Sequence, residues 1–154
     1  MTRRHGPPPR PGTAHRVRPG AYAVLPLPGT DDLLLTEAVD AEGRRVLQLP
    51  GGGIDPGEHP LLALHREVRE ETGWTVAAPR RWRTARLFVW MPEYGMHAEK
   101  VCGLWIARPV RRAGPPSEPG HRARIVPRAL AACLLESPAD RAAARDLAAR
   151  TVRR

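Results

Sequence analysis

Gly51 to Trp74, GGGIDPGEHPLLALHREVREETGW, places three glycines ahead of a segment with helical period. Glu67, Glu70 and Glu71 fall at i, i+3 and i+4, so a helix gathers their carboxylates within an arc of about 100°. Mutual repulsion makes that face costly unless a cation lies among the carboxylates. Leu61, Leu64 and Val68 form an apolar stripe beside it, so one side of the helix docks on a sheet while its neighbour stays open. The helix is expected to begin near Glu58 or His59, where Pro60 is tolerated in the first turn, and to stop at Gly73 in a left-handed cap.

The spacing can be written out in full: Gly52, five residues, Glu58, seven residues, Arg66-Glu67-Val68, one residue, Glu70-Glu71, one residue, Gly73 and an apolar residue. This resembles the Nudix box of the Nudix hydrolases, G-x5-E-x7-R-E-U-x-E-E-x-G-U, in which U is usually aliphatic. Every fixed position matches, and Trp74 at the last U is the one soft departure. A chance match comes to roughly 10⁻⁷ over a chain of this length at average residue usage. A merely solvated acidic helix face, held by pairs such as Arg66 with Glu70, would not need the glycine turn and Gly73 at that spacing.

The resemblance implies a mixed α/β (α+β) fold, an α/β/α sandwich with a mixed sheet carrying the box loop and helix. Pattern alone supports only α+β or α/β. Strands are expected at Ala21 to Leu27, Asp32 to Val39, Arg45 to Leu49, Arg83 to Trp90, Lys100 to Ala107 and Arg122 to Val126. Between them, Met91 to Glu99 and Arg108 to Gly120 read as loops. A short helix follows at Arg128 to Glu136, and a last one starts at Ser137-Pro138-Ala139-Asp140 and runs to about Thr151. Residues 1–19, rich in proline, glycine and arginine, read as a mobile or extended tail, with edge covering of the sheet as the other reading. Residues 20–154 form the single domain that 154 residues allow.

Charge narrows the partners less than it first promises. The formal net charge of +9 suits a polyanion, yet of 25 basic residues only Lys100 is lysine, a skew that genome composition explains as well as a binding surface does. Gly51 to Gly73 holds Asp55, Glu58, Glu67, Glu70 and Glu71 against two arginines, whereas basic residues dominate from Trp74 to Arg128. An acidic site framed by arginines suits an anion bridged by metal. Cys102 and Cys133 are too few for a disulfide framework and suggest no zinc site. No signal peptide and no run of 18 apolar residues occurs, so the expectation is a cytoplasmic protein away from membranes. Monomer and homodimer stay equally open.

Clustered carboxylate oxygens favour Mg²⁺ or Mn²⁺ over zinc. The resemblance implies metal ligands at Glu67 and Glu71, with Glu70 as ligand or water-orienting group and the Gly51 carbonyl as a further ligand. Arg66 is expected to hold the glutamates, and Glu58 to brace loop against helix. Family members place the general base on a box glutamate or on one from a later loop or strand. Glu99 leads the outside candidates, ahead of Glu93 and Glu118; a solvated ion pair is its ordinary alternative. Tyr22, Phe88, Trp90, Tyr94 and Trp105 could stack on a nucleobase, although each such residue is more often core. Tyr94 draws most interest, because its loop separates two long strands.

The expected activity is therefore Mg²⁺-dependent hydrolysis of a phosphoanhydride in a nucleoside diphosphate linked to another moiety. Motifs for NADH or coenzyme A are lacking, and Pro92 and Tyr94 come a little late for the ADP-ribose and diadenosine marks. The competing classes are a nucleic-acid-binding protein using the arginine-rich tail and a nucleotide sensor without turnover.

Overall fold

The computed structural model describes residues 2–151. Its strands are β1 (Thr2–Arg4), β2 (Arg16–Pro26), β3 (Asp32–Val39), β4 (Arg45–Gln48), β5 (Gly51–Gly53), β6 (Trp74–Met91), β7 (Met96–Arg112) and β8 (Arg122–Pro127). Three helices accompany them: α1 (Pro60–Thr72), α2 (Arg128–Leu134) and α3 (Pro138–Thr151). The strands form a mixed sheet in the order β1-β6-β7-β2-β3-β4, with β5 added to β2 and β8 to β3. The mixed α/β class expected from the sequence is the one observed.

The sheet separates two apolar layers, and strand alternation assigns side chains to each. Ala21, Ala23 and Leu25 of β2 and Leu34 of β3 pack with Ala63, Leu64 and Val68 of α1. Val24, Leu33 and Leu35 turn to the other side, against Ala131 of α2 and Ala139, Ala143, Ala144 and Leu147 of α3. This accounts for the unbroken apolar run Leu33-Leu34-Leu35: a strand covered on both faces has no solvent side to alternate with. Full burial of Leu64 and Val68 contributes about 1.5–3 kcal/mol each to docking α1.

α1 begins at an N-cap, His59, whose Nδ1 accepts the Leu61 N–H at 3.2 Å. Pro60 occupies the first turn, and Gly73 closes the helix at φ 75°. Its C-terminal carbonyls would be orphaned, and the segment after β7 satisfies them. Ala113 N–H donates to Gly73 O, and the N–H groups of Ser117 and Glu118 both donate to Glu70 O. Gly73 also admits no side chain, since a Cβ there would collide with the Gly114 carbonyl.

Three expectations need correction. The supposed tail enters the sheet at both ends: Thr2–Arg4 lie parallel to Thr84–Arg86, and β2 starts at Arg16, parallel to β7 from Ala98. The 19/20 boundary thus falls inside a strand, and the edge-covering reading describes residues 2–4. The Met91 to Glu99 loop is mostly strand, since Met91 pairs with Met96 across a tight 3-10 turn at Pro92–Tyr94 closed by Gly95 at φ 56°. Finally, β6 and β7 run well beyond their expected ends, pairing as far as Trp74 with Arg112. Register shifts near Val76, Arg80 and Arg83, together with Ala78 at φ 50° beside Pro79, break the two-residue period that would have revealed this strand.

Candidate active site

The carboxylates of α1 meet the glycine turn of β5 edge to edge. Glu71 is 7% exposed, and its Oε2 accepts the Gly51 N–H at 3.0 Å. Gly51 has φ 147°, and a Cβ on it would strike the Ala21 carbonyl and the Tyr22 backbone. At Gly52 the obstacle is different: a Cβ would sit 2.5–2.6 Å from the carboxylate of Glu67. The first two glycines therefore have separate tasks, one allowing the backbone path and the other leaving room for a carboxylate.

Arg66 ties the arrangement together. Its Nε and Nη2 donate to Glu58 Oε1 and Oε2 at 2.8 and 2.9 Å, a bidentate pair. Nη1 donates to Glu67 Oε1 at 2.8 Å and to Glu70 Oε2 at 3.3 Å, while Nη2 also reaches the Gly53 carbonyl at 3.2 Å. The Arg66 hydrogen bonds hold Glu58 down to about 2, so Glu58 is a fixed anion joining loop and helix.

Glu67 and Glu71 behave in the opposite way. Burial raises the Glu67 carboxyl above its ordinary range despite Arg66. Burial, and then the charges of Glu67, Glu118 and Glu70, push Glu71 up to about 8 against the pull of the Gly51 N–H. Arg66 offsets only part of the burial cost at Glu67, and no arginine or lysine is paired with Glu71 among the described residues, so a bound cation would relieve both carboxyls. Their hard oxygens suit Mg²⁺ or Mn²⁺. Among the described residues no group of three or more acids, histidines or cysteines converges on one metal position.

The outside candidates are separated by the fold. Glu99 projects from β7 and is held by Arg86 Nε in an ion pair; no hydrogen bond joins it to the box glutamates among the described residues. Glu93 lies in the turn after β6 and lines a cavity on the other side of the sheet. Glu118 is the one whose charge acts on both Glu67 and Glu71, because its backbone is hydrogen-bonded to Glu70 O at 2.9 Å. The same segment delivers His121, which the sequence reading passed over. Thr36 Oγ1 lies 3.2 Å from Glu71 O and is hydrogen-bonded to His121 Nδ1 at 2.9 Å, with that nitrogen 3.8 Å from Glu71 Oε1. Burial lowers the His121 pKa and favours the neutral ring. No local motif marks Glu118 or His121; the only hint was that their segment follows a long strand.

A cavity of about 450 Å³ opens beside Gly51 on the α3 side of the sheet. Tyr22, Leu87, Lys100, Cys102 and Leu104 line its sheet wall, Asp140 its helix wall, and Trp90 and Met91 its end. Lys100 Nζ donates to Tyr22 Oη at 3.0 Å, and Asp140 Oδ2 accepts the Leu49 N–H at 3.1 Å. Burial pushes the Tyr22 hydroxyl up to about 12 and Asp140 up to about 6. Burial acts against the Lys100 charge, but Tyr22 and Cys102 outweigh it and raise that pKa.

The aromatic candidates divide three ways. Tyr22 lies in the cavity, whereas Trp105 is core beneath the Arg81 guanidinium. Phe88, Trp90 and Tyr94 gather at the β6–β7 turn. There Phe88 meets His15 edge-on at 5.1 Å, Trp90 meets His97 at 4.8 Å, and Arg18 lies 4.8 Å over the Tyr94 ring. No described helix is long and apolar enough to cross a membrane.

Comparison with known proteins brings these features together. The NUDIX domain family model matches residues 17–147. The RNA pyrophosphohydrolase of Helicobacter pylori strain G27 is 44% identical over 61 residues, 38% of each chain. The RNA pyrophosphohydrolase of Halorhodospira halophila is 43% identical over 51 residues, 29% of this chain and 28% of that one. The chain thus aligns with less than two fifths of these relatives' length. A NUDIX hydrolase from Nitrosomonas europaea shares the fold at a TM-score of 0.69 and 21% identity, over 87% of this chain and 90% of the other. A MutT structure, from work on Aliivibrio salmonicida and Vibrio cholerae, does so at 0.60 and 16%, over 88% and 99%.

Proposed function

The chain belongs to the NUDIX family, and from that premise we propose that it hydrolyses, with Mg²⁺, a phosphoanhydride bond in a nucleoside diphosphate linked to another moiety. One observation carries the reading: the buried carboxyls of Glu67 and Glu71 converge on the glycine turn, at Gly52 and Gly51, beside a cavity large enough for a nucleoside.

Glu67, Glu70, Glu71 and the Gly51 carbonyl would hold the ion, which when bound neutralises the diphosphate and activates a water. Around it the protein positions and excludes. Arg66 fixes Glu67 and Glu70 and cannot release its charge at working pH. The bidentate brace to Glu58 keeps the turn from moving away from α1. Glu118, whose backbone N–H is bonded to Glu70 O and whose charge reaches Glu67 and Glu71, is the group we assign to accept the proton of the attacking water, in preference to Glu99, whose carboxylate is engaged by Arg86. The cavity takes the nucleoside, with Lys100 and Tyr22 as donors and Asp140 as acceptor.

The relatives named RNA pyrophosphohydrolase favour a second substrate on the same machinery, the 5′-terminal phosphoanhydride of an RNA. The test is release of phosphate, pyrophosphate or nucleoside monophosphate, with and without Mg²⁺, across nucleoside diphosphate derivatives and a 5′-triphosphorylated oligoribonucleotide. Metal-dependent turnover of at least one is expected. No turnover of any, with binding retained, would favour the nucleotide-sensor class.

A further inference from the structure

A cationic and aromatic track leads away from the glycine turn, and the proposed hydrolysis of a mononucleotide leaves it unused. It starts at Arg18, whose Nη2 lies 3.7 Å from the position a Cβ would take on Gly53, within reach of a phosphate at the turn. Among the described residues no ion pair engages this guanidinium, which instead lies over the Tyr94 ring at 4.8 Å. Tyr94 is 56% exposed. Trp90, 53% exposed, lines the end of the cavity and meets His97 at 4.8 Å, and His97 meets His15 at 5.6 Å. Arg86 neutralises Glu99 and lies over Phe88, leaving Glu93 the acid of this region without an ion pair among the described residues.

Large exposed rings held against histidines and arginines are not explained by the core, which they do not enter. Their arrangement is that of a single-strand binding surface: flat rings spaced along a positive track, with the strand's end directed into a pocket. Trp90 belongs to both the cavity and the track, so a strand whose first nucleoside occupies the cavity passes directly onto it. We propose that Trp90 and Tyr94 stack the bases that follow the 5′-terminal nucleotide of a single-stranded RNA, while Arg18 contacts its backbone. The inference rests on the pyrophosphohydrolase reading for the position of the 5′ end, but binding can be measured without turnover.

The experiment uses the full chain carrying Glu71→Gln, with Mg²⁺, and follows a fluorescent 5′-triphosphorylated hexaribonucleotide by anisotropy in competition with the matching nucleoside triphosphate. The hexamer is expected to bind at least about tenfold tighter than the mononucleotide, and Trp90→Ala and Tyr94→Ala each to weaken the hexamer by about tenfold. Tyr94→Phe, which keeps the ring, should restore binding. Arg18→Ala should flatten the dependence of log K on log salt by about 0.7, the value for one single-strand phosphate. Equal affinity for hexamer and mononucleotide would overturn the proposal, as would hexamer binding unaffected by loss of either ring. A DNA hexamer binding better than RNA would overturn the assignment to RNA. If the catalytic reading alone were wrong, the otherwise unaltered chain would bind the hexamer in this pattern and release nothing from it.

Discussion

The two faces of the central sheet handle charge in opposite ways. On the α1 face, Glu67, Glu70 and Glu71 crowd together with Arg66 paired to the first two, and the two most buried carboxyls are pushed up. On the α3 face, Lys100 is answered by Tyr22 and the field of Asp140, Glu93 and Glu136 reach the same cavity, and the rest of its wall is mainly apolar. In the proposed reaction, the crowded carboxylates would act once a cation and an anionic substrate arrive together. The mainly apolar cavity would take the less charged part of the same molecule. The proposed hydrolysis of a nucleotide derivative would use one surface of each kind, joined at Gly51.

The comparison breaks first at Glu71. Glu71→Gln keeps the shape and the bond from Gly51 but removes the charge a metal ligand would carry, so kcat should fall at least ~10²-fold with the fold retained. Unchanged turnover in the folded variant would remove the cation from the account of the α1 face. Glu118→Gln should cost about 10- to 100-fold in kcat, against less than about threefold for Glu99→Gln. The reverse order in steady-state kinetics would return the base to β7.

The glycines sharpen the contrast between fold and site. Gly51→Ala forces a side chain at φ 147° against backbone and should destabilise the fold by about 1–3 kcal/mol in urea titration. Gly52→Ala meets only the end of the flexible Glu67 side chain, so stability should change by less than ~1 kcal/mol while activity falls about tenfold. Equal effects of the two substitutions on stability would show that Gly52 also serves the backbone.

The smallest effect tests the α3 face. Asp140 has a folded pKa of about 6 against an ordinary 3.8, so the native state holds its proton more tightly than the unfolded chain. The contribution of Asp140 to stability should then be greatest below about pH 4, fall as pH rises to about 6, and level off, by about 1–3 kcal/mol. Asp140→Asn retains the oxygen that accepts from Leu49 N–H and should flatten that segment of the profile. An unchanged slope in denaturant melts across pH 4–6 would mean that Asp140 is ionised throughout.

Legibility followed the distance along the chain over which a feature is built. α1 was readable almost to the residue, because Pro60, the apolar stripe and Gly73 are local signals for a local hydrogen-bond pattern. β3 was readable from Asp32 to Val39 for the same reason: its apolar run is bounded by turns. The first half of β6 was not, since Pro79 and three register shifts hide a strand that exists by virtue of its pairing with β7. Nor was the parallel pairing of β2 with β7 visible, because its partners are about 80 residues apart and nothing in Arg16 to Pro19 alone asks for a strand.

The sequence by itself determined the box half of the candidate site: a glycine turn, an arginine and three glutamates whose mutual positions are set by one turn and one helix. Only the tertiary structure decided that the Glu118 backbone is tied to Glu70, that His121 stands behind Glu71, and that Lys100, Tyr22 and Asp140 share a cavity wall. The physical reason is the range of the forces involved. Helix geometry positions side chains three and four apart wherever the helix forms. Burial and pairing across a sheet bring together residues that the chain itself keeps apart.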